Sequence, residues 1–294
     1  MPEKLLLVGD NPFHGVSHFS QEKARSRDSR VNDPQWASEL VKTSFKNGAD
    51  GFMFSVSETT LSILRMLTKT NKERKYYAIV PAASDYVRLS SQVGTIGLVR
   101  YVANQTLRSG NITAITNGIK GILLSDMTAL MKAYLGYEMS RIKAALGNKG
   151  EIHSIMLHEL ITEMAVALNI DWLIRSYVEY LTKLGIKPGF ETRNFICLVN
   201  KLKELEIDTR NIVITTPFNA LGFQMNPSKA DCEKTLRMVP DAEIIAMSVL
   251  ASGRLKLAEA KIYLNHLPEL SGAVIGVSRK EQAQETFKFF RSDV

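Results

Sequence analysis

The chain has two cysteines in 294 residues, Cys197 and Cys232. That is too few for a disulfide framework or a cysteine-rich zinc site, and it fits a reducing compartment. No apolar run approaches the ~18 residues needed to span a membrane. The opening MPEKLLLVGD sets charged residues before only four apolar ones, which does not make a secretory signal. A cytoplasmic protein without membrane association is therefore expected. Aromatic residues are few and are not interleaved with cations as in single-strand nucleic-acid grooves, so the net charge of +7 does not point to a nucleic-acid partner. No glycine-rich phosphate fingerprint follows a strand, and no His-x-His or His-Glu-x-x-His spacing occurs. With 45% hydrophobic residues, the chain is long and apolar enough for a large core.

What the chain does have is a series of short β-branched runs, each followed by a polar loop and usually a helical stretch. Eight such runs are Lys4–Val8, Gly51–Val56, Tyr76–Val80, Ile152–Leu157, Gly189–Thr192, Ile212–Thr215, Glu243–Met247 and Ala273–Val277. Helices are expected over Pro34–Asn47 with Asp33 as N-cap, from Ser57 or Glu58 to about Lys72, and over Phe195–Leu205. Eight strand-helix units in order specify an α/β fold, a closed (β/α)8 TIM barrel spanning residues 1–294 as a single domain. An open doubly wound sheet is the alternative. Residues 90–150 form an enlarged helical connection between strands 3 and 4, with helices over Val93–Leu107 and Met127–Leu146. This insertion offers a surface for a homo-oligomer.

Active sites of this fold collect where the loops leave the C-terminal ends of the strands. Those ends carry Asp10, Asn11, His14 and His18, then Ser55, and then Asp85. Further along they carry His158 and Glu159, Glu191, Arg193 and Asn194, Thr215 and Asn219, Ser248 and Arg254, and Ser278, Arg279 and Lys280. The opposite end shows no comparable cluster. By strand alternation His158 shares the side of Ser154 and Met156, and Glu191 faces the mouth while Phe190 faces the helices. A carboxylate so placed requires a cation, a metal or a proton, and Arg193 is the structural candidate for its partner. Asp10 and His14 are the expected partners of this pair, although Asp10-Asn11-Pro12 reads equally as a local Asx turn.

His158, Glu191, Asp10 and His14 serve in this reading as catalytic acid/base groups or, if a divalent metal is present, as its ligands. Asn11, Ser55, Asp85, Glu159, Asn194, Thr215 and Asn219 are expected to bind a small anionic substrate. Ser248, Arg254, Ser278, Arg279 and Lys280 form an expected phosphate or cofactor cradle, because Ser278 and two cations stand where a strand runs into a helix. Ser278 also reads as a simple cap with Glu281 at the third helical position. The segment Ser17–Arg30, with four cations, reads as a lid or as a solvated surface loop.

The second half of the chain resembles the aldo/keto reductase superfamily. The likeness is carried by Ile155-Met-Leu-His158, Ile244-Ile-Ala-Met-Ser-Val-Leu-Ala-Ser-Gly253 and Ala273-Val-Ile-Gly-Val-Ser-Arg-Lys-Glu-Gln282. The resemblance implies NADP as cofactor, with Ser248, Leu250, Ser278, Arg279 and Gln282 in contact with it and His158 at the family's catalytic histidine. The chain departs from the usual tetrad: Ser55 stands at the aspartate position, the tyrosine has no match, and Pro81 stands where a lysine is expected. With no evident tyrosine proton donor, the leading expectation is acid/base or metal-assisted chemistry of isomerase, lyase or hydrolase type on a phosphorylated or carboxylated substrate. An NAD(P)-linked oxidoreductase with an altered tetrad and a non-catalytic binding barrel are the alternatives.

Overall fold

A computed structural model describes residues 3–15, 31–67, 73–81 and 126–292. Eight parallel strands close a barrel in the order β1 to β8. They are β1 (Leu5–Gly9), β2 (Gly51–Ser55), β3 (Lys75–Val80), β4 (Glu151–Leu157), β5 (Lys187–Glu191), β6 (Val213–Pro217), β7 (Glu243–Met247) and β8 (Gly272–Gly276). The ring closes through β1 on β8, with Leu5 opposite Gly272 and Gly9 opposite Gly276. The expected strands agree with these to within a few residues, and β7 agrees at both ends.

The helices of the described residues are α1 (Pro34–Lys46), α2 (Glu58–Met66), α3 (Met127–Leu146), α4 (Glu159–Ala167), α5 (Asp171–Lys183), α6 (Phe195–Glu204), α7 (Lys229–Leu236), α8 (Leu257–Asn265) and α9 (Lys280–Arg291). Their starts follow side-chain chemistry. Asp33 accepts hydrogen bonds from the backbone N–H of Gln35 and Trp36, and Asp126 from that of Ala129. Ser57 and Thr60 form a capping box at α2. Two helices, α4 and α5, fill the β4-to-β5 crossover. The expected helix over Val93–Leu107 lies outside the described residues, as does the tail of the second helix beyond Leu67; α3 is the described part of the insertion. No helix among the described residues is long and apolar enough to cross a membrane.

Strand alternation divides the core in two. Outward residues such as Val8, Phe52, Tyr76, Ile155, Phe190 and Ile244 pack under the helices, while Leu7, Met53, Tyr77, Ile79, Met156, Val213 and Ile245 fill the barrel interior. On β5 the inward column is Lys187, Gly189, Glu191. A Cβ on Gly189 would meet Met156 Cγ at 2.6 Å and Ser154 Oγ at 2.7 Å, so the missing side chain makes room for the β4 residues beside it. Gly189 thus separates Lys187 at the lower end from Glu191 at the upper end of one strand.

The lower end corrects the expectation that it holds no cluster. Glu243 accepts hydrogen bonds from Tyr77 Oη at 2.6 Å and Lys187 Nζ at 2.7 Å, and lies 2.9 Å from His153 Nε2. Pairing of β3 with β4 skips His153 between Tyr76 opposite Ile152 and Tyr77 opposite Ser154, and the extra residue turns inward at this bulge. Burial by itself would raise the Glu243 carboxyl, but the hydrogen bonds from His153, Lys187 and Tyr77 and the His153 charge hold it down at about 2.

Candidate active site

At the C-terminal ends of the strands, a cleft of about 360 Å³ is lined by residues from loops that are far apart in sequence. Asp10, Ser55, His158, Glu191, Thr215, Ser248 and Ser278 all contribute to it, together with Arg193, Leu250 and Gln282. The volume lies in the range of ligand pockets.

Asp10 is almost fully buried. It does not form the local Asx turn: the following Asn11–His14 turn receives no side-chain cap from it. Its Oδ2 instead crosses to β2 and accepts the Ser55 backbone N–H at 2.7 Å, with His14 Nε2 3.3 Å away. His14 Nδ1 is 3.1 Å from Asn32 Oδ1. The turn is anchored by Phe13, fully buried and edge-on to Trp36.

His158 stands between β4 and α4 and acts as the helix cap. Its Nδ1 accepts the Leu160 backbone N–H at 3.2 Å. The neutral ring consequently carries its proton on Nε2. Burial lowers the His158 pKa; the charges of Glu159 and Asp10 oppose this, and Arg193 adds to it. The histidine is thereby kept as a neutral N–H donor near pH 7.

Glu191 ends β5. Burial pushes its carboxyl up, the charges of Glu159 and Asp10 push it further, and the Glu159 backbone N–H at 3.3 Å and Arg193 pull it back, leaving it at about 7. A carboxylic acid poised near neutrality beside a neutral imidazole is an acid/base pair matched to physiological pH. Arg193 is not its salt-bridge partner. The guanidinium binds Glu159 Oε1 through Nη1 at 3.0 Å.

The loop after β7 has left-handed backbone at Ser248, Ala251 and Ser252 as well as at Gly253. Non-glycine residues are costly there, and such strain concentrates at ligand sites. After β8, the cap of α9 is Arg279, not Ser278. The Ser278 N–H and hydroxyl both donate to Gln282 Oε1, at 2.9 and 3.3 Å. Ser278 therefore holds its loop through Gln282 and does not offer the free N–H expected of it, while Gln282 replaces Glu281 as the residue that reaches back. Arg279 and Lys280 are exposed at the helix start and outside the cleft.

Several expected substrate contacts are placed elsewhere. Asn219 is fully buried and clamps its own loop, accepting the Phe223 N–H at 2.8 Å and donating to the Phe223 carbonyl at 2.9 Å. Asn194 lines a separate small apolar pocket with Cys197. Glu159 pairs with Arg193, and Arg254 lies over the Phe223 ring at 5.2 Å. Thr215 borders the cleft, but its hydroxyl points at the sulfurs of Met53 and Met156. Asn11 and Ser55 line the cleft. Asp85, His18 and the segment Ser17–Arg30 lie outside the described residues. Among the described residues no three His, Cys, Asp or Glu side chains converge to hold a metal ion, so Asp10, His14, His158 and Glu191 do not form the expected metal set. The sequence marks Arg193 only as a structural partner for Glu191 and not as a residue of the cleft, which it lines; its position two residues after an inward-facing strand end is the available signal.

Two solved structures superpose on this architecture. One is described as "the putative aldo-keto reductase from Pseudomona aeruginosa" and matches with a TM-score of 0.58 at 10% identity, covering 97% of this chain and 88% of that one. The second, described in the same terms, has a TM-score of 0.56 at 10% identity with the same coverage. The chain shares the closed parallel barrel fold of these structures. At this identity the likeness is one of fold. No family model matches the chain, and no curated protein matches it. The neighbours overturn the leading expectation of isomerase, lyase or hydrolase chemistry, because both carry the description of reductases and the oxidoreductase alternative is the one consistent with them.

Proposed function

We propose that this protein is an NAD(P)-linked oxidoreductase that interconverts a carbonyl and an alcohol with an altered catalytic set. The observation that carries the reading is the pairing, in one cleft, of a neutral His158 that presents Nε2–H with a Glu191 carboxyl raised to about 7. His158 donates a hydrogen bond to the carbonyl oxygen and stabilises the negative charge that develops on it. Glu191 supplies the proton, the role for which the sequence offers no tyrosine. Asp10, held by the Ser55 N–H, adds negative charge that keeps Glu191 protonated.

The cleft fits a nicotinamide dinucleotide on its β7 and β8 side. Ser248, Leu250, Ser278 and Gln282 line that side, the backbone turns left-handed there, and Arg279 and Lys280 stand exposed at the start of α9 where a phosphate would be attracted. When bound, the dinucleotide supplies the hydride. Titrating NADPH and NADH against the intrinsic tryptophan fluorescence tests the proposal. Saturable binding is expected, weakened by Arg279→Ala more for NADPH than for NADH. Absence of binding by either dinucleotide would sink it.

A further inference from the structure

Arg193 is the one arginine or lysine among the described residues lining the cleft, and its surroundings fix it from two sides. Glu163, from α4, accepts the Arg193 backbone N–H at 2.9 Å and the Thr192 hydroxyl at 3.3 Å, which locks the turn after β5. Glu159 then holds Nη1 of the guanidinium at 3.0 Å. What remains is the other edge. Nε is buried and has no hydrogen-bond partner among the described residues. A buried guanidinium N–H left unpaired is costly unless a ligand completes it. The Nε/Nη2 edge has the fork geometry that takes a carboxylate with two parallel hydrogen bonds.

We propose that Arg193 binds the carboxylate of the substrate through this edge, so that the substrate is a short oxo acid and its alcohol form a hydroxy acid. The inference deepens the oxidoreductase reading and rests on it for the identity of the reacting carbonyl. His158, Glu191 and Arg193 line the same cleft, so a carboxylate on Arg193 shares it with the groups that would receive the carbonyl, as in a 2-oxo acid. The arrangement also links binding to chemistry. An anion that neutralises Arg193 removes the cation that draws the Glu191 proton away, and the acid is loaded as the substrate arrives.

The test is isothermal titration of 2-oxobutanoate and its neutral amide, 2-oxobutanamide, against the parent protein and the variants Arg193→Gln and Arg193→Lys. The parent is expected to bind the acid about ten-fold or more tightly than the amide. Arg193→Gln should abolish that preference. Arg193→Lys keeps the charge beside Glu159 but lacks the fork, and should lose most of the preference while retaining the parent's melting temperature, so a poorly folded glutamine variant does not obscure the result. Equal binding of acid and amide by the parent, no binding of the acid, or a preference undiminished in a folded Arg193 variant would overturn the assignment. NADPH titration of the same samples separates the two ideas. Acid preference without NADPH binding leaves Arg193 as the carboxylate site and removes the oxidoreductase; NADPH binding without acid preference does the reverse.

Discussion

Glu191 shows how one side chain carries opposing demands. Its ordinary carboxyl value of 4.5 is raised to about 7 in the folded protein. A group raised on folding contributes stability that is whole below its unfolded value and is lost as pH rises through the folded one. Glu191→Gln removes this dependence. At pH 8 the variant is expected to be more stable than the parent by ~2 kcal/mol, discounted for partial exposure, with the difference gone below pH 4.5. Thermal unfolding across this range checks it, and a variant that is less stable at pH 8 would show Glu191 to be a stabilising anion instead. Its carbonyl-reducing rate should fall about 10²- to 10⁴-fold. In the parent the rate of reduction should decline as pH rises through about 7, since the protonated acid is the active form. Alternation in sequence places Glu191 at the mouth. The value near 7 depends on Glu159 and Asp10, brought alongside from α4 and β1, and no local pattern conveys that.

Elements whose ends are set by short-range chemistry are legible before folding is known. The Asp33 cap, the Ser57 start of α2 and the Met127 start of α3 all stand where the sequence predicts them. At α2 the cap also reaches the site. The Thr60 hydroxyl accepts the Ser57 N–H at 2.9 Å and donates to the Ser55 carbonyl at 2.7 Å, joining the helix to the strand end whose N–H holds Asp10. Thr60→Val, similar in volume but without the hydroxyl, should cost about 1–2 kcal/mol in urea unfolding. Parent-like stability would mean that water replaces the box. The start of α9 is the instructive failure: Ser278 and Glu281 satisfy the capping-box pattern, yet Arg279 takes the cap position and Gln282 reaches back. The extended backbone at Arg279 moves the helix start by one residue, and a pattern of spacing alone does not resolve that shift.

Across the whole barrel, the lower charged cluster ties β3, β4, β5 and β7 together through Glu243. Its carboxyl, depressed to about 2, contributes stability present above the unfolded value of 4.5 and lost as pH falls through about 2. Glu243→Gln should be less stable than the parent at pH 7 by about 3 kcal/mol and should show a flatter loss of stability between pH 4.5 and 2. Unfolding curves that run parallel for the two proteins through this window would rule the network out as a source of acid sensitivity. In sequence these residues look like ordinary polar strand starts, which is why the cluster goes unread there. His153 joins it only because a bulge turns it inward, and bulges arise from the pairing of two strands.

Eight short β-branched runs, each followed by a polar loop and usually a helical stretch, were enough to determine the closed parallel barrel, and alternation was enough to turn Glu191 to its mouth, because strand and helix patterns and side-chain direction are local properties. Which of those residues meet was decided by tertiary structure alone. Asp10 on Ser55, Arg193 on Glu159 and Asn219 on its own loop are contacts set by register and helix placement, and the protonation of Glu191 follows from the charges and burial that those contacts impose.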